Sequence, residues 1–307
     1  MDLHSVSAAH LSGLRAWKEA MPPRPSPTLR QRRLGIELRR MREQAGFGGS
    51  QLGHIVGMSP AQVTQMESGR IGISVDRLHT IAAACNCDNR PLIDALANII
   101  TERGKGWWEE YREVLTTHFL EVAEIESFAK KLSTCTTNYI PGLLQTGAYA
   151  SAVFTRVYPP LPRKDIDVRT AFRVQRQQLV RSGTTPLRAF IHEAALRMQF
   201  GGPEVLADQL DALVEDSEQA GISIRVMPFA VDTFPGAAEN LTFAEASVSE
   251  LDTVQLDVAH GVLFFDAPAD LAKHRAIFNR MDSIALSDEE SRDFIRFIKK
   301  EVEDRYV

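Results

Sequence analysis

A chain of 307 residues exceeds one small helical domain and, at about 100–200 residues per domain, predicts two. Hydrophobic content of 44% and charged content of 24% are ordinary for a globular protein, and no apolar run reaches the roughly 20 residues that span a bilayer, so no membrane partner is expected. The net charge of −5 excludes a protein basic over its whole surface, yet residues 1–100 hold 12 Lys and Arg against 8 Asp and Glu, and the remainder 23 against 32. A basic front and an acidic rear fit a head that meets a polyanion and a body that repels it.

Residues 1–27 read as an accessory arm. His10 to Met21 predicts a short helix with Leu11, Leu14 and Trp17 on one side, and PPRPSP predicts an extended linker. The plain reading is a tail with one docked helix; the sharper one is an arm that binds a partner or swaps within a dimer. The arm lacks a signal-peptide layout. Cys85, Cys87 and Cys135 are few and odd in number, and Cys85-Asn86-Cys87 is one residue too tight for a CxxC site. Reduced thiols in a cytoplasmic protein, with no cofactor and no metal, are therefore expected.

A first helix is predicted from about Thr28 to Ala45, with Leu34, Leu38 and Met41 on one face. Arg30, Arg32, Arg33, Arg39 and Arg40 lie mostly elsewhere, and such a run serves equally as a solvated basic face or as phosphate contacts. After Gly46 the next short helix ends before Gly57, in a tight turn. Ser59 is an N-cap and Pro60 follows at the first helical position, where its missing N–H costs nothing. Gly69 falls where a left-handed stop belongs. Leu52, Ile55, Val56, Met58, Val63 and Met66 are spaced so that two crossed helices share a core, which is a helix-turn-helix. The outward face of the second of these helices is Ala61, Gln62, Thr64, Gln65 and Ser68. These small and amide side chains suit base edges and phosphates. A fourth helix follows Ser74 through Leu78 and Ile81 to Cys85, and a fifth runs from Pro91 to about Arg103.

The stretch LRRMREQAG…QLGHIVGMSPAQVTQMESG, over about residues 28–90, resembles the XRE family of helix-turn-helix regulators, the lambda-repressor type. The resemblance implies a five-helix all-α head that binds double-stranded DNA. It places Pro60, Ala61 and Gln65 where side chains approach bases, with Gln62 and Thr64 flanking them. Gln65 is the best candidate for direct readout, because an amide pairs bidentately with adenine. Ser59, Arg70 and Arg39 are phosphate candidates. Arg42 and Glu67 occupy a family ion pair joining the first and third helices, an architectural role. One departure is Gly49, where a Gln commonly starts the second helix and touches the backbone. Glycine there weakens the helix start, so useful affinity is expected from a homodimer on half-sites about one helical turn apart.

Gly104-Lys105-Gly106 reads as a hinge. Trp107 opens a helix extending past Val114 and Leu115, and a second helix continues to about Leu132 through Phe119, Val122, Ile125 and Phe128. A Pro141-Gly142 turn leads to a helix at Gly147–Val157. Asp165 to Arg181 is a strongly polar helix. Strands are predicted at Leu187–Ile191, Ile222–Val226, Leu241–Ala246, Thr253–Val258 and Val262–Phe265, the last two joined through His260-Gly261. Helices are predicted at His192–Phe200, Pro203–Ala220, Leu271–Ile284 and Asp288–Arg305. The boundaries are therefore an arm at 1–27, a helix-turn-helix head at 28–103, and a mixed α/β body with a small sheet at 107–307.

The body is similar to the carboxy-terminal domain of actinomycete XRE-type regulators, the WhiJ-like group. The markers are Trp107-Trp108, Pro141 to Thr146 with Tyr149-Ala150, Arg173-x-x-Arg176-Gln177, Glu193 to Arg197, Gly201-Gly202-Pro203 and Val226 to Phe229. The resemblance implies a developmental or metabolic switch, in many cases paired with a small partner protein. Trp107, Trp108, Arg173 and Arg176 are candidates for an effector or partner site. Core anchoring is the commoner use of such tryptophans, and intramolecular ion pairing of such arginines. Nothing marks an enzyme: GxSxG, P-loop and GxGxxG motifs are absent, and His192-Glu193 starts an HExxH that position 196, a leucine, does not complete. His118, His192, His260 and His274 do not fall at ligand spacings. The reading is a DNA-binding transcriptional regulator whose body senses a small molecule or partner protein. The alternative is an antitoxin-like module that binds a small partner protein and autoregulates.

Overall fold

The computed structural model describes residues 27–102, 106–231, 235, 240–258 and 261–305. The arm helix expected at His10–Met21, the hinge residues Gly104 and Lys105, and His260 lie outside them.

Five helices make the head: α1 (Leu29–Gln44), α2 (Gly49–Val56), α3 (Pro60–Glu67), α4 (Val75–Ala84) and α5 (Arg90–Thr101). Each starts where a side chain answers the free N–H groups of a first turn. Thr28, Ser59, Ser74 and Asn89 all accept from backbone N–H groups inside their helices. Even the glycine-rich start of α2 is closed, because the Gln51 side chain accepts from the Gly48 N–H at 2.7 Å. The helices bury one core, centred on Leu38, Leu52, Leu78, Ile81 and Leu96, each 0% exposed. Gly57, at φ +67°, makes the left-handed turn into α3.

The body holds a six-stranded mixed sheet, so the multi-domain expectation of an all-α head and an α/β rear is met. Its strands are β1 (Lys131–Thr136), β2 (Leu187–His192), β3 (Ile222–Met227), β4 (Leu241–Glu245), β5 (Thr253–Val258) and β6 (Gly261–Phe265). The spatial order is β3-β2-β1-β4-β5-β6. The first three run parallel and the rest form an antiparallel meander. Helices α6 (Thr117–Phe128), α7 (Gly147–Thr155), α8 (Arg163–Arg176), α9 (Gln178–Arg181), α10 (Glu193–Arg197), α11 (Pro203–Ser217), α12 (Pro268–Ile284) and α13 (Asp288–Asp304) surround it. One sheet face packs Leu132, Ala189, Ile191 and Ile224 against α11 and α13. The opposite face packs Cys135, Phe190, Phe243 and Val254 against α12.

Four sequence expectations are corrected. Trp107–Tyr111 is a short 3-10 turn rather than the start of a long helix. The helix expected to reach Leu132 stops at Phe128, and residues 131–136 form β1, a strand in the middle of the sheet. The polar helix breaks at Gln177, whose buried amide donates to the carbonyls of Gly142 and Gln145 and draws the chain inward. The helix after β2 covers only Glu193–Arg197.

Candidate nucleic-acid interface

The α3 ridge is exposed throughout: Ser59, Pro60, Ala61, Gln62, Thr64 and Gln65 all face solvent, as does Arg70. Only Val63 and Met66 point into the core. The polar side chains on the ridge are not equivalent. Ser59 Oγ accepts from the Gln62 N–H, and Gln62 Oε1 accepts from the Ser59 N–H at 2.8 Å, a reciprocal cap. Thr64 Oγ1 donates to the Pro60 carbonyl and Ser68 Oγ to the Gln65 carbonyl. The Gln65 amide makes no hydrogen bond among the described residues. It is the amide of the ridge with both donor and acceptor unused, as bidentate pairing with a base edge requires. Arg70 and Arg77 are exposed and carry no ion pair among the described residues. Arg77, not singled out from the sequence, lies in the first turn after the Ser74 cap, and its own N–H donates to Ser74 Oγ.

The ridge is held by a tight α1–α3 contact. Arg42 donates from Nε to Glu67 Oε1 at 2.6 Å and from Nη2 to Oε2 at 3.0 Å, and from Nη1 to the Phe47 carbonyl. The two side chains are 12% and 11% exposed, so the pair is largely shielded. The hydrogen bond to Glu67 raises the Arg42 pKa further. Gly35 permits the approach: a Cβ there would lie 2.4 Å from the Glu67 carbonyl oxygen.

The arginines of α1 have another task. Arg33 and Arg40 both pair with Asp266, and Arg33 also donates to the Glu250 carbonyl. Arg32 pairs with Glu121, and Arg30 lies 3.4 Å over the Phe128 ring while pairing with Glu102. The Leu29 N–H donates to Glu124, and Val248 and Leu251 pack on the head core. These four arginines, read as phosphate candidates, are therefore committed to the head–body contact. Arg39 remains exposed but donates to Glu43 at 2.7 Å. Burial lowers the Arg33 pKa, opposed by Asp266 and Glu37, and raises that of Glu37, opposed by Arg33 and Arg40.

Residues 33–96 match the family model of a helix-turn-helix domain, and residues 119–297 match a domain of unknown function, DUF5753. The chain belongs to the DUF5753 family. Its helix-turn-helix head is that of a DNA-binding regulator. No match is found among curated proteins or among solved structures. Among the described residues no helix is long and apolar enough to cross a membrane.

Within the DUF5753 domain the marker residues are mostly spent on architecture. Gln145, Gln177 and Gln209 are buried and pin the Pro141–Thr146 turn through its backbone. Glu193 accepts from the Phe229 N–H and pairs with Arg197, which also reaches Glu301. Of the residues read as an effector site, Trp107 and Arg176 line a common cavity of about 440 Å³. Trp108 is buried with Phe172, Leu120 and Ala123. Arg176 is doubly hydrogen-bonded to Glu126; burial opposes its charge, but Glu126 outweighs it and raises the pKa. Arg173 donates to Gln145, stacks 4.2 Å from the Phe154 ring centre, and burial pushes its pKa down to about 10.

Proposed function

We propose that the chain is a sequence-specific transcriptional regulator of the XRE type with a WhiJ-like body, acting as a homodimer on double-stranded DNA, and that the body senses a small ligand or a partner protein. One observation carries the reading: an exposed helix of a helix-turn-helix head presents the unused Gln65 amide between small neighbours. Gln65 reads a base, Pro60 and Ala61 shape the approach, Thr64 and Gln62 flank it, and Ser59, Arg70, Arg77 and Arg39 face phosphates. The body fixes where the head points, because α1 is clamped by Asp266, Glu121 and Glu124.

The test is anisotropy on DNA from the protein's own upstream region across a salt series. Wild type is expected to bind selectively and with a steep salt dependence, and Gln65→Ala to lose about 1–3 kcal/mol of discrimination. Weak, unselective binding that Gln65→Ala leaves unchanged contradicts it. The antitoxin-like reading draws on a different observation, the exposed Phe229 and Met198, 60% and 43%, beyond the ends of β2 and β3. Copurification of a small protein that Phe229→Ser abolishes supports that second reading.

A further inference from the structure

A cleft lies between head and body, and Trp107, Trp108, Arg173 and Arg176 are not in its lining. It measures about 720 Å³, within the roughly 300–1,000 Å³ of small-molecule sites. Ile36 and Ile99 face it from the head, and Ile125, Phe128, Leu251 and Phe264 from the body. We propose that this cleft binds an amphipathic organic acid, a molecule with an apolar body and one carboxylate.

The charge of the wall carries the choice of class. Arg30, Arg32, Arg33 and Lys130 line the cleft, against Glu102, Glu245 and Asp266. Arg30 is answered by Glu102, Arg33 by Asp266 and Arg32 by Glu121, while Glu245 is taken by Lys131. Lys130 is exposed and has no ion-pair partner among the described residues. Its backbone N–H donates to the Glu245 carbonyl, which fixes its position at the sheet. A carboxylate at the mouth meets this unanswered ammonium, with the Arg30 guanidinium, seated on the Phe128 ring, in the same wall. The hydrocarbon then covers the isoleucines and Phe128, where burial of apolar surface drives binding. A cation gains no partner there, and a neutral molecule gains only the apolar term. Since α1 and α5 supply one wall and α6, β6 and the β4 end the other, an occupant touches both halves. That consequence rests on the proposed sensing role; the site itself does not.

The probe is 1-anilinonaphthalene-8-sulfonate, an anionic amphipath, titrated into the full chain and displaced by decanoate, decanol or decyltrimethylammonium. Saturable binding is expected, with decanoate displacing the probe at a concentration about tenfold or more below decanol. Lys130→Gln, a surface change, is expected to erase decanoate's advantage and leave decanol unchanged. Ile99→Trp is expected to fill the cleft and abolish displacement while unfolding stays cooperative. Absence of saturable binding overturns the proposal. So do decanol or the quaternary ammonium competing as well as decanoate, and indifference to Lys130→Gln. Binding that appears only in a full chain carrying Trp17→Lys means the chain's own amino-terminal segment fills the cleft, and overturns it too. DNA affinity in the same samples separates the two readings: decanoate that binds without moving it keeps the site and removes the sensing role.

Discussion

Gln62 and Gln65 are three residues apart on one exposed helix, yet their amides do different things. Gln62 closes the reciprocal cap with Ser59, and the Gln65 side-chain amide makes no hydrogen bond among the described residues. Ser59→Ala is accordingly expected to lower stability by about 1 kcal/mol in urea unfolding, whereas Gln65→Ala leaves the unfolding midpoint unchanged and alters only base preference. Arg42→Ala strands the Glu67 carboxylate in a shielded position and is expected to cost about 3 kcal/mol or more by the same measurement. The Ser59-Pro60 start and the Gln65 position were legible because caps and helical spacing are local. The commitment of Arg33 and Arg40 to Asp266 was not: the carboxylate lies more than two hundred residues away in sequence, and no local pattern announces it.

At the scale of elements, the head is legible because each helix has its own cap, apolar face and stop. The body is less so, and β1 shows why. Lys131-Leu132-Ser133-Thr134-Cys135-Thr136 is mostly polar, so it does not read as the apolar run of a central strand. Two of its three hydroxyls are nevertheless satisfied inside the sheet: Thr134 donates to the Leu241 carbonyl, and Ser133 accepts from Arg188, while the buried Thr136 hydroxyl has no partner among the described residues. Leu132, 0% exposed in the larger core, carries much of the strand's apolar burial. Leu132→Ala is expected to cost about 2–5 kcal/mol in urea unfolding. A cost no larger than that of a surface substitution would contradict the central place of β1. The break at Gln177 was equally hidden, because it is set by two carbonyls of a distant turn rather than by a breaker residue.

At the scale of the described molecule, a helix-turn-helix head is clamped to a sheet-based body through the basic side of its first helix. Burial raises the Glu124 carboxyl at this contact above its usual 4.5, although hydrogen bonds from Thr28 and Leu29 oppose the shift. The folded chain then keeps this proton to higher pH than the unfolded chain. Its contribution to stability is therefore greatest below the unfolded value and declines as pH rises from about 4.5 through the raised one. Glu124→Gln is expected to remove that decline, seen as a flatter stability curve than wild type in urea unfolding at a series of pH values. Identical curves would place no buried proton there.

The central claim is that the α3 ridge reads DNA sequence through Gln65. Selection from a randomised duplex library with the full chain, wild type and Gln65→Ala side by side, tests it most directly. Wild type is expected to enrich a motif, and the variant to relax preference at one base position per half-site while keeping the rest. Enrichment of no motif by wild type, or of the same motif unchanged by Gln65→Ala, would contradict base readout by this residue.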